Sequence, residues 1–244
     1  MGYDLTSFER GLSELEITLS DSQKQQFLRY YEYLIEVNQV MNLTAITEYE
    51  EVIAKHFLDS LALVKASCFS TKGLTNKKLI DVGTGAGFPG IPLKIAFPEL
   101  EITLLDSLNK RVNFLKNTIE MLGLPGISAI HARAEDAAQQ KEYREKFDFC
   151  VSRAVANLST LSEYCLPFVA KKGRFISYKS GTVDQEFAQA KKAVQLLGGE
   201  TEEVVRFSLA NTDSERSLVV IRKVKPTPGR YPRKAGLPVR EPLA

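Results

Sequence analysis

The sequence predicts an α/β protein: a seven-stranded, mostly parallel sheet with one antiparallel edge strand, helices on both faces, and an N-terminal helical extension. Three observations carry that expectation. From Lys77 onward, short apolar runs alternate with stretches of helical periodicity, which is how strands joined by crossover helices read. At residues 78–90 the apolar run KLIDV breaks into GTGAGFPG and resumes at Ile91 and Pro92, the succession of a strand, a tight turn and a helix start. Only about seven residues, near 210–216, separate the last two strands; that is too few for a parallel crossover, so an antiparallel hairpin should close the sheet.

Residues 1–70 read as a helical cap. Leu5, Phe8, Leu12, Leu15 and Leu19 recur at spacings of three and four and make one apolar stripe. Ser20 with Gln23 has the form of a capping box, and Phe27, Tyr31, Leu34 and Ile35 continue the spacing on a second helix that should end near Asn38. Thr47 with Glu50 repeats the box before a third helix, which carries Ile53, Phe57, Leu61 and Val64 on one face. Between them residues 38–47, NQVMNLTAIT, follow neither period; such a loop is either a site wall or a connector. His56 lies beside the third stripe, where a packed and a functional histidine both fit.

The body of the fold spans 71–225. Strands are expected at 79–82, 101–106, 127–131, 147–152, 173–178, 203–209 and 217–223. Helices are expected at 91–97, 110–122 (stopped by Gly123), 135–145, 158–169 and 183–197. The glycine turn departs from the dinucleotide fingerprint, because Phe88 stands where the third glycine belongs, and no Gly-Lys-Ser/Thr follows to make a P-loop. What remains, Asp81-x-Gly83-x-Gly85-x-Gly87, is the form that cradles S-adenosylmethionine (SAM), and the hairpin-ended sheet is that of Rossmann-like SAM-dependent methyltransferases. Asp106, 21 residues after Gly85 at the end of the second strand, is placed to accept hydrogen bonds from both ribose hydroxyls of an adenosine. Ala134 and Glu135 follow the third strand and would meet the adenine, while Ser152-Arg153-Ala154 follows the fourth at the same carboxyl edge.

Composition bounds the rest. A chain of 244 residues with 44% apolar and 25% charged side chains suits one sizeable domain with an attachment. The three cysteines, Cys68, Cys150 and Cys165, lack metal or disulfide spacing, and neither a signal peptide nor an apolar run of membrane-spanning length is present, so a cytoplasmic protein without metal or membrane is expected. The net charge of +2 is unevenly placed. In the tail, 226–244 with the residues just before it, Arg222, Lys223, Lys225, Arg230, Arg233, Lys234 and Arg240 face a single acid, Glu241, amid five of the ten prolines. The tail is read either as a solvated end or as a basic arm following a phosphate backbone.

Several motifs together resemble one family. Asn42-Leu43-Thr44-Ala45-Ile46, His56-Phe57-Leu58-Asp59-Ser60-Leu61, the turn running on into Phe88-Pro89-Gly90, Ser152-Arg153-Ala154 and Tyr231-Pro232-Arg233-Lys234-Ala235-Gly236 are similar to the bacterial 16S ribosomal RNA guanine-N7 methyltransferase G family, also called glucose-inhibited division protein B. The resemblance covers nearly the whole chain. It implies SAM as methyl donor, S-adenosylhomocysteine (SAH) as product, and 16S rRNA or the small ribosomal subunit as partner. No obligate protein partner is evident. It also implies that Gly83, Phe88, Ala134, Glu135 and Arg153 contact the cofactor. Arg153 is the candidate for a catalytic role, orienting cofactor or substrate. No general base is expected, since N7 of guanine already carries a lone pair, and the chain lacks both the Asn/Asp-Pro-Pro-Tyr/Phe tetrapeptide of amine methyltransferases and the cysteine pairs of cytosine-C5 enzymes. A small-molecule methyltransferase and a non-catalytic RNA-binding assembly factor are the alternatives.

Overall fold

In a computed structural model, which describes residues 3–153, 156–181 and 183–243, the helical extension is folded down onto the sheet. Helix α1 (Thr6–Glu14) buries Phe8 and Leu12 and stops well short of Leu19. Helix α2 (Asp21–Met41) opens with the expected capping box: Ser20 Oγ accepts from Gln23 N at 3.3 Å and Gln23 Oε1 accepts from Ser20 N at 2.8 Å. It runs three residues past Asn38 and ends on Asn42, whose φ of 49° is the left-handed cap that asparagine tolerates. The box expected at Thr47 does not form. Glu48 precedes α3 (Tyr49–Val52) without a side-chain cap, and the helix then widens through a π-helical turn, Ile53–Leu58, into α4 (Asp59–Leu61) and a 3-10 turn, Ala62–Lys65.

Aromatic packing clamps this unit to the glycine turn. Phe27 and Phe57 rings are 5.0 Å apart, Tyr30 stacks on Phe57 at 5.7 Å, and Tyr30 reaches Phe88 at 5.4 Å. The buried Tyr30 hydroxyl donates to the Ala86 carbonyl at 2.5 Å. The cap and one face of the sheet therefore share a single apolar core.

The sheet has the order β3-β2-β1-β4-β5-β7-β6. Its parallel strands are β1 (Lys78–Val82), β2 (Glu101–Asp106), β3 (Ile127–His131), β4 (Phe147–Arg153) and β5 (Val169–Ser180). Strands β6 (Gly199–Ser208) and β7 (Glu215–Lys223) form the expected hairpin, and β7 is the reversed strand. It lies one place in from the edge, between β5 and β6, so β6 forms the edge itself; a register shift marks β6 between Thr201 and Glu203.

Alternation along each strand divides the core. Leu79, Leu104 and Ile176 face the cap together with α5 (Gly90–Ala96) and α6 (Asn109–Leu122), which ends at Gly123 with φ 61°. Ile80, Leu105 and Phe175 face α8 (Leu158–Cys165) and α9 (Asp184–Leu196). Two helices are shorter than their periodicity suggests. The 135–145 stretch is helical only over α7 (Ala134–Ala137); beyond it the chain turns, and Arg144 donates to the Thr227 and Tyr231 carbonyls. The 158–169 stretch leaves the α-helix after Cys165, two residues before Pro167, passes through the 3-10 turn Leu166–Phe168, and starts β5 early. Chain order reverses between β1 and β4, which opens a crevice at their carboxyl ends, where open α/β sheets bind ligands.

Candidate active site

The glycine turn is held from below. Asp81, with no exposed surface, accepts from Thr84 Oγ1 at 2.6 Å and from Gly90 N at 2.9 Å through Oδ2, so one carboxylate ties the turn to the first residue of α5. Its Oδ1 has no hydrogen-bond partner, and burial pushes its pKa up to about 6. Gly83, Gly85 and Gly87 have φ of 73°, 62° and 104°, the left-handed region in which only glycine is unstrained. Their surroundings differ. A Cβ on Gly87 would stand 2.8 Å from the Tyr30 hydroxyl, whereas one on Gly85 would meet nothing within 4 Å. Gly83, Gly85 and Phe88 line the crevice, while Asp81 and Gly87 shape it from behind.

The crevice has two halves, cavities of about 930 and 540 Å³, and Gly83, Asp106, Ser107 and Ala156 line both. Asp106 sits at the waist. Its Oδ2 accepts from Gly85 N at 3.0 Å and its Oδ1 from Leu108 N at 2.9 Å, which leaves each oxygen a second lone-pair site. Ala134 and Glu135 line the smaller half, and Glu135 Oε1 already accepts from Gly236 N at 2.9 Å. Residue Ala154 lies outside the described residues.

The larger half is walled by the helical cap. Asn38 folds the 38–47 loop, its Oδ1 accepting from Leu43 N at 2.6 Å and Thr44 N at 2.9 Å, and Leu43, Thr44 and Ile46 thereby line the cavity. The π-helical turn presents Lys55 and His56 from the other side, and Asp59 follows at the start of α4; such one-residue widenings recur at functional sites. Arg153, at the end of β4, donates to Asp59 Oδ2 at 2.6 Å and to the Lys55 carbonyl at 3.2 Å, while Arg216 from β7 donates to Asp59 Oδ1 at 3.1 Å. The Arg153 guanidinium lies 5.2 Å from the centroid of Phe88, and His56 stacks on that ring at 4.4 Å. His56 faces Thr44 Oγ1 through Nε2 at 2.8 Å and Arg153 Nη2 through Nδ1 at 3.4 Å. Because the guanidinium only donates, Nδ1 is the unprotonated nitrogen and Nε2–H donates to Thr44.

Burial first, and then the Arg153 charge, push the His56 pKa down to about 3, so the imidazole is neutral at physiological pH. Between pH 6.5 and 3 the unfolded chain takes up a proton that the folded chain refuses; the stability contributed by this group is whole above 6.5 and lost as pH falls. His56→Gln is therefore expected to flatten part of the acid-side decline of the urea midpoint. An unaltered profile would show that His56 is not held neutral.

Over residues 23–219 the sequence matches the family described as rRNA small subunit methyltransferase G. The ribosomal RNA small subunit methyltransferase G of Lachnoclostridium phytofermentans is 56% identical over 98% of both chains, and that of Desulforamulus reducens 50% identical over 99% of both. The chain belongs to the rRNA small subunit methyltransferase G family. Among solved structures, M. jannaschii TYW2 in complex with AdoMet is 14% identical with a TM-score of 0.51, covering 67% of this chain and 74% of that one; this likeness is one of fold.

In this methyltransferase G chain two cations of the basic stretch are engaged within the fold. Lys223 is buried, donates to the Leu166 carbonyl at 2.6 Å, pairs with Glu145 at 3.1 Å, and has its pKa pushed down to about 8 by burial. Arg233 is tied to the buried Glu163, with Nη2 to Oε2 at 2.6 Å. Neither presents a free cation to a phosphate, which corrects that reading for both residues. Arg222 pairs with Glu200 and lies in register with Arg174, toward the strand ends away from the crevice. Arg230 stacks on Tyr231 at 5.0 Å, and Lys225 and Lys234 are exposed. Arg216 and Lys179, which motif reading passed over, line the larger cavity. The signal for both was register: each sits at the carboxyl-edge end of a strand on the hairpin side of the sheet. Among the described residues, no helix is long and apolar enough to cross a membrane, and no three His, Cys, Asp or Glu side chains cluster to hold a metal ion.

Proposed function

We propose that this protein methylates N7 of a guanine in 16S rRNA, using SAM and releasing SAH. The supporting observation is the two-part crevice joined at Asp106: one half suits a nucleoside-bearing cofactor, and the other, larger half is walled by the cap and open to a base drawn out of RNA. The residues fit the cofactor, since a side chain at Gly85 would project into open space and Asp106 keeps acceptor capacity for ribose hydroxyls. When bound, SAM supplies a methyl group activated on a sulfonium sulfur, and transfer to the N7 lone pair leaves a neutral thioether with no proton to remove.

The chain's own task is then positioning, which contributes up to roughly 7–11 kcal/mol toward a barrier of this kind. Asp106 and the Gly83–Gly85 turn hold the cofactor at the waist. Arg153, fixed by Asp59 and lying over Phe88, sets the wall at which the two reactants meet. His56 is neutral and already bonded at both nitrogens, so it shapes that wall instead of serving as a base.

Incubation of unmodified small-subunit RNA with labelled SAM, followed by chemical cleavage at N7-methylguanine, should place the label at one guanine. Label at another atom, or none, overturns the assignment. In the same assay Arg153→Lys keeps the charge but loses the fork, and is expected to lower kcat/KM by about 10- to 100-fold while changing the SAM Kd little. Activity within about twofold of wild type would remove Arg153 from the positioning role.

A further inference from the structure

The C-terminal segment is anchored along its length. Tyr231 is buried in the core beneath α8 and α9, Arg144 donates to the Thr227 carbonyl at 3.0 Å and the Tyr231 carbonyl at 2.9 Å, and Arg233 is locked to Glu163. Farther on, Thr160 Oγ1 donates to the Pro238 carbonyl at 3.0 Å and Gly236 N donates to Glu135 at 2.9 Å. These ties bring Ala235, Gly236, Val239 and Arg240, the last two from the short helix α10 (Leu237–Arg240), onto the 540 Å³ cavity that Asp106 and Ala134 also line. The rest of that lining includes Val82, Leu105 and Tyr164 together with Ser107 and Arg133, a slot with apolar walls and several polar groups of the kind that takes a flat heteroaromatic ring. Val239 is 58% exposed although it borders this slot, so an apolar face is left for a ligand to cover.

We propose that residues 235–240 form a wall of the adenosine half of the cofactor pocket, making the C-terminal segment a cofactor-binding element and not an RNA-binding arm. This rests on the reading of the crevice as a SAM site. Glu135 has a definite part in it: one carboxylate oxygen joins α7 to the tail through Gly236, so the two sides of the slot are held together. Ala235 is exposed and borders the slot, and its side chain takes no part in the anchoring hydrogen bonds, so enlarging it probes the slot.

The test is calorimetric titration of the full-length protein with SAH and, separately, with 5′-methylthioadenosine, which keeps the adenosine and lacks the amino-acid end. Ala235→Phe is expected to raise Kd at least about tenfold for both ligands while the ligand-free Tm stays within about 2 °C of wild type. Val239→Asp, which sets a carboxylate against the ring, is the second variant should the first not fold; its Kd is expected to rise about as far. Wild-type protein that binds neither ligand would defeat the cofactor reading and the proposal with it. Wild-type binding with both variants equally tight defeats the tail proposal alone. Unchanged affinity together with weakened RNA methylation would return the segment to RNA recognition.

Discussion

Gly85→Val should abolish measurable SAM binding, raising Kd at least about 100-fold, or about 2.7 kcal/mol. Two effects combine. At φ 62° a β-branched residue is strained by roughly 1–2 kcal/mol, and its methyls would project into the space beside Asp106 that an adenosine needs. Strain alone could lower affinity by loosening the turn, so the comparison that separates them is Gly123→Val. Gly123 has φ 61°, also has nothing within 4 Å of an added Cβ, and caps α6 just before β3, at the amino ends of the strands and away from the crevice. Both variants should lose similar Tm, and only Gly85→Val should lose SAM. Equal affinities in calorimetry would remove the turn from the cofactor site.

Arg233→Ala should lower the unfolding free energy by about 3–5 kcal/mol, read from urea denaturation. Glu163 has no exposed surface and depends on Arg233 for its ion pair, with Arg233 Nε at 2.9 Å and Nη2 at 2.6 Å; truncation leaves a buried carboxylate with only the backbone N of residue 233 at 2.8 Å. The double replacement Glu163→Leu with Arg233→Met should recover much of the loss, since an apolar pair of similar volume removes the buried charge altogether. A loss below about 1 kcal/mol for the single variant is what a solvent-screened surface pair shows, and would mean that the tail readily lifts off α8.

The elements whose signals are local were legible in the sequence: the Ser20–Gln23 box, the Gly123 cap, the seven strands and the short hairpin connection. Asp106 at the crevice waist was legible from spacing, because strand length and turn geometry fix where a strand-end side chain lies. What was not legible depends on partners distant in sequence. The 135–145 pattern is helical by period, yet Arg144 serves carbonyls 83 and 87 residues away. The charge of the tail left a solvated end and a phosphate-following arm both open; Glu163 and Glu145 supply counter-charges to Arg233 and Lys223 within the fold, and no period announces that. The 38–47 loop could not be told from a connector, since its place in the crevice follows from how α2 and the π-helical turn pack on the sheet.

The inward position of β7 leaves β6 with one row of backbone donors and acceptors facing solvent, the usual template for unwanted pairing between molecules. Here that strand begins with Glu200, Glu202 and Glu203, and its bulge falls among them. A second copy approaching along the same edge would meet a ladder whose register is interrupted, beside glutamates already paired with Arg222 and Arg174 on the neighbouring strands.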